Sequence, residues 1–462
     1  MKILLTHAYY LKEDANELRI MKPYVPLGIL YISSYLKHQG FNAELYDSTF
    51  KSFEEQKKKL IDLKPDVIAI YCNLMTKLNV LPLMKFIKSA PELRNSKIIL
   101  GGPEPPFYSE EFLNAGADII VEGEGEVTMK SLCEELSMPS PDLSKVKGII
   151  FKDENDAVVK TQVRELIKDI DELPMPDREG VELNLYLDAW KKTHGYSSVS
   201  VNTMRGCPYT CKWCSHSVYG TSYRRRNPEK TVEEIHYIME QYNPDILWFV
   251  DDVFTISHKW LKHVNKLLKE QNITIKFECI SRSDRLDDET LKTLKEMGCF
   301  RLWIGAESGS QKVLDLMDRR VDALKTREII KLTRQYGIET GTFIMLGYPG
   351  EKKEDIYETV NHLKDSNPDI FLTTVAYPIK GTPFFQEVEE KIITDLPWGS
   401  RTDRDLDFSG RYSKKFYRYA NRYLVNEVNY HKMKTNGNGG FFEKGKTFFK
   451  AKVSKMIMSI LN

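Results

Sequence analysis

The chain has 462 residues, 41% of them hydrophobic and 29% charged, with a net charge of +1. That length suits two or three domains of a soluble globular protein, and no run of about 20 apolar residues is present to span a membrane. The seven cysteines form no disulfide framework and the N-terminal apolar run is too short for a secretory signal, so a reducing cytoplasm is the expected compartment.

Residues 1–135 alternate short apolar runs with helical patterns. Strands are expected at Lys2–Thr6, Ala43–Tyr46, Val67–Tyr71, Lys97–Leu100 and Ile119–Val121, with a helix at Leu27–His38 ending at Gly40. This alternation predicts an α/β, doubly wound, Rossmann-like parallel sheet. Such sheets bind ligands outside the carboxyl ends of their strands. Here those loops are Thr6–Gly28 with Pro26, Cys72–Thr76 with Asn73, Gly101-Gly102-Pro103-Glu104 and Glu122-Gly123-Glu124-Gly125-Glu126. Glycine lets backbone approach a ligand closely. No G-x-G-x-x-G follows the first strand, so a dinucleotide is not expected, and the acidic loops argue against phosphates. His7 stands on the first loop without a D-x-H-x-x-G context and reads as a hydrogen-bonded loop histidine.

Residues 136–195 read as a linker, with turn-rich breaks at Met138–Asp142 and Leu173–Asp177 around a hairpin of Val146–Phe151 and Ala157–Lys160. Residues 196–385 repeat a strand–helix unit six times. The strands are Ser198–Thr203, Ile246–Val250, Ile273–Ile280, Phe300–Ile304, Ile338–Met345 and Ile370–Ala376. Asp251-Asp252, Ser281-Arg282, Glu307-Ser308 and Gly347 follow strands two to five. Six units predict a partial, TIM-like (β/α)6 barrel with its active face at the strand carboxyl ends. Thr231-x-x-Glu234 has the capping-box pattern and is expected to open the first helix. Arg224-Arg225-Arg226 reads as a solvated basic loop, with an anionic substrate or reductant as the alternative.

The first of these strands delivers Arg205-Gly206-Cys207-Pro208-Tyr209-Thr210-Cys211-Lys212-Trp213-Cys214, three cysteines at spacing C-x3-C-x2-C. Thiolates are soft ligands suited to iron–sulfur clusters, zinc or copper(I). Three are one short of a closed tetrahedral site, so a three-cysteine [4Fe–4S] cluster keeps one iron open. This loop resembles the signature of the radical S-adenosylmethionine (SAM) enzymes, including the aromatic Trp213 before the last cysteine. The resemblance extends over about 190 residues of the barrel region. Residues 1–135 are similar to the cobalamin-binding domain that precedes many such barrels, matching at Pro26-Leu27-Gly28, Gly101-Gly102-Pro103 and Gly123-Glu124-Gly125-Glu126.

The resemblance implies that Cys207, Cys211 and Cys214 ligate the cluster and that SAM chelates the open iron. Around SAM it implies Trp213 backbone and Gly347 at the adenine, Asp251 or Asp252 at the methionine ammonium, Arg282 at its carboxylate, and Glu307 and Ser308 at the ribose. Around cobalamin it implies Pro26, Gly28, Asn73, Gly101, Gly102, Gly123 and Glu124, with no histidine beneath the cobalt. The implied activity is reductive cleavage of SAM to a 5′-deoxyadenosyl radical and methylation of an unactivated carbon. Cobalamin-dependent cyclisation or rearrangement is the alternative. RNA modification of the methylthiotransferase type is disfavoured, because residues 1–135 hold only Cys72 and Cys133. No general acid or base is assigned. The implied partners are a small-molecule or lipid-linked substrate and an electron donor such as flavodoxin or ferredoxin, not nucleic acid.

Residues 386–462 form a helical, basic extension. Residues 411–462 contain twelve Lys/Arg and two Asp/Glu. Tyr412, Phe416, Tyr419 and Tyr423 fall on one helix face, and Asn436–Gly440 reads as a flexible break. In the last segment Phe449, Val453, Met456, Ile457 and Ile460 make an apolar stripe among lysines. Two readings stay open: a basic amphipathic helix lying on an anionic membrane, or a helix docked on the barrel with its lysines in water.

Overall fold

The computed structural model describes residues 1–435, 437 and 440–461. The expected break at Asn436–Gly440 lies largely outside the described residues. The chain divides into two compact units, the first made of Met1–Pro208, Ser215–Leu247 and Thr394–Asp405, the second of Tyr209–Cys214, Trp248–Ile393 and residues from 406 onward.

The first unit begins with β1 (Ile3–His7), α1 (Ala15–Ile20), α2 (Leu27–His38), β2 (Ala43–Tyr46), α3 (Phe53–Leu63) and β3 (Val67–Tyr71). It continues with α4 (Lys77–Ser89), β4 (Lys97–Gly101), α5 (Ser109–Asn114), β5 (Ile119–Val121) and α6 (Gly125–Leu136). The hairpin β6 (Ile149–Lys152) and β7 (Val158–Lys160) follows. The seven strands run in the order β2-β1-β3-β4-β5-β6-β7. The first five are parallel, and β6 and β7 add antiparallel to the edge. Strand side chains alternate between faces, so Leu4 enters one core with Ile68 and Ile98 while Ile3 and Leu5 enter the other with Val67 and Ile99. Both faces are covered, which is why these strands are apolar throughout.

The chain then forms α7 (Leu183–His194), β8 (Ser198–Val201), the short antiparallel pair β9 (Met204–Arg205) and β10 (Arg224–Arg225), α8 (Pro228–Tyr242) and β11 (Ile246–Phe249). α7 is fixed on the first unit by Trp190 Nε1, which donates to Pro23 O at 2.8 Å, and by Tyr186 Oη, which donates to Asp47 at 2.7 Å. The expected capping box at Thr231 is not formed. Pro228 at the first helical position moves the start upstream, where Asn227 accepts from Lys230 N at 2.8 Å. Glu234 is instead buried against Arg178 at 2.7 Å. The basic loop is also not solvated. Arg226 is buried, its guanidinium 3.7 Å from Glu234, and Arg224 is bonded to Glu124.

Residues 394–405 return to this unit, which the sequence did not signal. Trp398 packs edge-on against Phe112 at 4.8 Å, and Tyr108 Oη donates to Asp403 at 2.5 Å. The Lys77 ammonium lies 4.2 Å from the Trp398 ring centroid.

The second unit contains α9 (His258–Glu270), β12 (Phe277–Ser281), α10 (Asp288–Met297), β13 (Cys299–Glu307), α11 (Gln311–Leu316), α12 (Ala323–Gln335), β14 (Glu339–Leu346), α13 (Lys353–Ser366) and β15 (Ile370–Val375). β12 to β15 are parallel in sequence order, with helices between them. β12 starts later than the expected Ile273 because Ile273 N closes the end of α9 by donating to Leu268 O at 2.9 Å. α14 (Pro383–Val388), the pair β16 (Ile392–Ile393) and β17 (Asp407–Phe408), α15 (Lys414–Thr435) and α16 (Phe441–Ile460) complete the chain.

α15 buries Phe416, Tyr417, Ala420, Tyr423 and Leu424, and Tyr412 stacks on Phe416 just before it. α16 docks through Ala451, Ser454 and Met458. The expected stripe is therefore not the docked face: Phe449, Met456 and Ile460 are 68%, 58% and 72% exposed. No helix among the described residues is long and apolar enough to cross a membrane.

Candidate functional site

In the first unit the loops at the carboxyl ends of β1, β3, β4 and β5 surround a cavity of about 710 Å³, a size suited to a small-molecule or cofactor site. Pro26, Gly28, Asn73, Gly101, Gly102, Gly123 and Glu124 all line it. The structure thus brings the seven positions expected around cobalamin to one place. Asn73, Gly101, Gly102, Gly123 and Glu124 reach it at or just past the ends of β3, β4 and β5, and Pro26 and Gly28 reach it from the start of α2. At Gly102, φ is +108° and a β-carbon would lie 2.4 Å from Cys72 O, so only glycine fits. A β-carbon at Gly28 or Gly101 would meet nothing within 4 Å, so bare backbone leaves room for a bulky ligand. Leu5, Val25, Ile29, Ile99 and Met129 make the walls apolar.

His7 also lines the cavity, but both its ring nitrogens are engaged. Nε2 bonds Asp47 Oδ1 at 2.9 Å, and Nδ1 accepts from Tyr9 N at 3.2 Å. Burial works against the Asp47 anion, yet hydrogen bonds from His7, Thr49 N and Tyr186 hold its carboxyl down at about 2. His7 is therefore held by hydrogen bonds at both ring nitrogens.

Sequence reasoning assigned no role to Val218 or Tyr219, which line the same cavity, nor to Arg205, which anchors its acidic loop. Glu126, part of the matched loop though not among the expected contacts, also lines the cavity from the first turn of α6. Arg205 gave no local signal, since its partners are 81 and 79 residues away.

The thiols lie on one loop. Gly206 has φ of +80°, and a β-carbon there would lie 2.3 Å from Ser222 Oγ, so the turn into Cys207 requires glycine. Cys207 and Cys211 are buried and Cys214 is half-buried. Among the described residues no three His, Cys, Asp or Glu side chains are gathered as a metal site. The donor set nonetheless fits an iron–sulfur cluster, with three soft ligands on eight residues of irregular chain.

Within the second unit, residues 209–214 are held by Lys212 N donating to Met317 O at 3.1 Å and Lys212 O accepting from Phe384 N at 2.9 Å. Cys214 N donates to Cys211 O at 3.1 Å, closing a turn between the two thiols. Arg282 Nη1 and Arg319 Nη1 each lie 3.7 Å from Cys211 Sγ. Cationic donors there complement a sulfur that ligates as thiolate. Arg319 was not anticipated, because it follows a helix rather than a strand.

The remaining expected SAM residues divide into two groups. Asp251 is fully buried and Asp252 is exposed, so Asp251 is the inward carboxylate. Glu307 ends β13 at a register shift with φ of +61°. Burial pushes its carboxyl up, while Arg319 and Arg282 oppose the shift. Trp213 packs with Val313, Met317, Tyr348 and Phe384. Arg282, Ser308 and Gly347 are engaged within the fold. Arg282 bonds Asp284 through Nε at 2.8 Å and Arg319 O through Nη2 at 2.9 Å, and its guanidinium lies 3.8 Å from the Tyr209 ring centroid. Ser308 Oγ bonds Thr359 and accepts from Ser310 N, both at 3.1 Å. Gly347 N donates to Glu351 at 2.6 Å, and Arg411 donates to Gly347 O at 3.0 Å.

Residues 201–363 match the family described as the radical SAM superfamily, and residues 19–133 match the B12 binding domain. An uncharacterized methyltransferase of Pyrococcus horikoshii is 27% identical over 387 residues, 82% of each chain. An anaerobic magnesium-protoporphyrin IX monomethyl ester cyclase of Cereibacter sphaeroides is 26% identical over 408 residues, 85% of this chain and 64% of its own. The solved structure of the cobalamin-dependent SAM radical enzyme OxsB superposes with a TM-score of 0.77 at 19% identity, over 99% of this chain and 72% of that one. The chain is an enzyme that carries a radical SAM domain over residues 201–363. The radical SAM and B12-binding domains bring with them a [4Fe–4S] cluster, SAM and cobalamin as cofactors. Such an enzyme needs a reductant and a small-molecule substrate.

One consequence concerns His7. The cobalt(II) form of bound cobalamin is expected to show no nitrogen splitting of protein origin in its electron paramagnetic resonance spectrum. A splitting that disappears in His7→Ala would contradict this assignment.

Proposed function

We propose that the chain methylates an unactivated carbon. Support comes from the likeness to a methyltransferase that spans 82% of both chains. When bound, the cluster supplies the electron that cleaves SAM and cobalamin supplies the methyl group. Cys207, Cys211 and Cys214 are the thiolate ligands of the cluster, and Arg282 and Arg319 keep cationic donors against Cys211. Asp251 is the carboxylate for the SAM ammonium, where charge-assisted bonding is strong. Trp213 and Gly347 border the adenine, and Glu307 faces the ribose. Bare backbone at Gly28 and Gly101 leaves space for cobalamin, and the apolar walls exclude water. The likeness to a cyclase favours, as second reading, a cobalamin-dependent cyclisation without methyl transfer.

The test supplies SAM carrying a trideuterated methyl group, a flavodoxin as reductant, and small-molecule and lipid extracts of the native cells. Methyl transfer predicts a product that carries the intact labelled methyl. Consumption of SAM with an unlabelled, dehydrated or ring-closed product would contradict it and leave the cyclisation.

The enzyme works in a reducing cytoplasm and meets its substrate at an anionic membrane surface. On α16 the exposed Phe441, Phe442, Phe449, Met456 and Ile460 stand among the exposed Lys446 and Lys452, the composition of an interfacial helix. In flotation assays the full chain should rise with phosphatidylserine vesicles and not with phosphatidylcholine alone. Phe449→Glu with Met456→Glu should abolish flotation without unfolding, since neither side chain is buried. Equal flotation of the variant and the parent would remove this reading.

A further inference from the structure

Arg205 stands two residues before Cys207 and is 3% exposed. Its Nη1 donates to Glu124 Oε1 at 2.8 Å and its Nη2 to Glu126 Oε1 at 2.5 Å. Both carboxylates line the cavity. Glu124 is held at its other oxygen as well, by Arg224 Nη1 at 2.7 Å and by Ile167 N at 2.8 Å. Arg224 is the cross-strand partner of Arg205 in the β9–β10 pair. Both members of one strand pair therefore converge on one cavity carboxylate. Tyr219, another cavity residue, and Tyr31 lie with their ring centroids 5.2 Å and 5.3 Å from the Arg205 guanidinium.

A planar guanidinium that divides its two ends between two carboxylates fixes both distance and angle, which a lysine ammonium does not. Gly206 is pressed against Ser222, and Cys207 follows directly. We infer that Arg205 is a positioning residue: it clamps the cavity loop 123–126 to the strand end that presents Cys207, so that occupation of the cavity is felt at the first cluster thiol. This rests on the reading of the cavity as the cobalamin site and adds a physical link from that site to the thiol loop. Arg205 itself is not among the residues that line the cavity.

The experiment is hydrogen exchange on the full, cluster-reconstituted chain, kept anaerobic, with and without hydroxocobalamin. In the parent protein, hydroxocobalamin should slow exchange in peptides covering 123–126 and also in those covering 203–208. Arg205→Lys keeps a cation but loses the fork. It should retain protection at 123–126 and lose it at 203–208, and it should weaken hydroxocobalamin binding about tenfold, as loss of an outer-shell partner does at metal sites. Glu126→Gln removes one arm of the clamp and should act in the same direction more weakly. That variant decides the matter if Arg205→Lys shows no cooperative melt. A general loss of packing would instead raise exchange everywhere and lower the melting temperature in both states. The inference is overturned if either folded variant transmits protection to 203–208 as the parent does, or if the parent binds hydroxocobalamin without protecting 203–208. A parent that binds no hydroxocobalamin overturns the cavity reading itself, a distinct result.

Discussion

The chain from Met204 to Gly206 is restrained by a strand partner, a buried double ion pair and a glycine with no room for a side chain. Its strand pairs with Arg224–Arg225. The Arg205 guanidinium is buried between two carboxylates. Gly206 has no room for a β-carbon. Burying a charge is costly unless it is paired and hydrogen-bonded, and removing one partner from such a pair typically costs about 3–5 kcal/mol. Here two guanidiniums and two carboxylates neutralise one another at the edge of the cavity. The acidic loop that looked unsuited to phosphates is thus committed to arginines of its own chain.

Much of the fold was legible because its signals are local. Five parallel strands in residues 1–135 follow from apolar runs separated by helical patterns, and Ala43–Tyr46, Val67–Tyr71 and Ile119–Val121 have the expected bounds. The cavity positions were legible for the same reason. A glycine-bearing loop after a parallel strand has one place to be, the carboxyl edge of the sheet. The thiol loop was legible from spacing alone.

What was not legible depends on long-range choice. Nothing local pairs Arg205 with Glu124 or Glu234 with Arg178, and nothing local brings residues 394–405 back to the first unit. At Thr231 two local signals competed, and Pro228 with Asn227 won because proline is pre-shaped for the first helical turn. At α16 the apolar stripe was read correctly as a stripe, but a different face, through Ala451, Ser454 and Met458, meets the protein. Small residues let that helix pack closely on its neighbours, and the large apolar side chains remain outside. Ser308 shows the converse. Its expected role at the ribose came from the resemblance, and its hydroxyl bonds Thr359 on α13.

The central claim is that one chain carries both a cysteine-held cluster and a cobalamin. Anaerobic reconstitution with iron, sulfide and hydroxocobalamin, followed by desalting and metal analysis, tests it most directly. The account predicts about four irons and about one cobalt per chain, with the iron lost when Cys207, Cys211 and Cys214 are replaced by alanine and the cobalt retained. A chain that holds no stable iron, or that keeps its iron without those three cysteines, would contradict it.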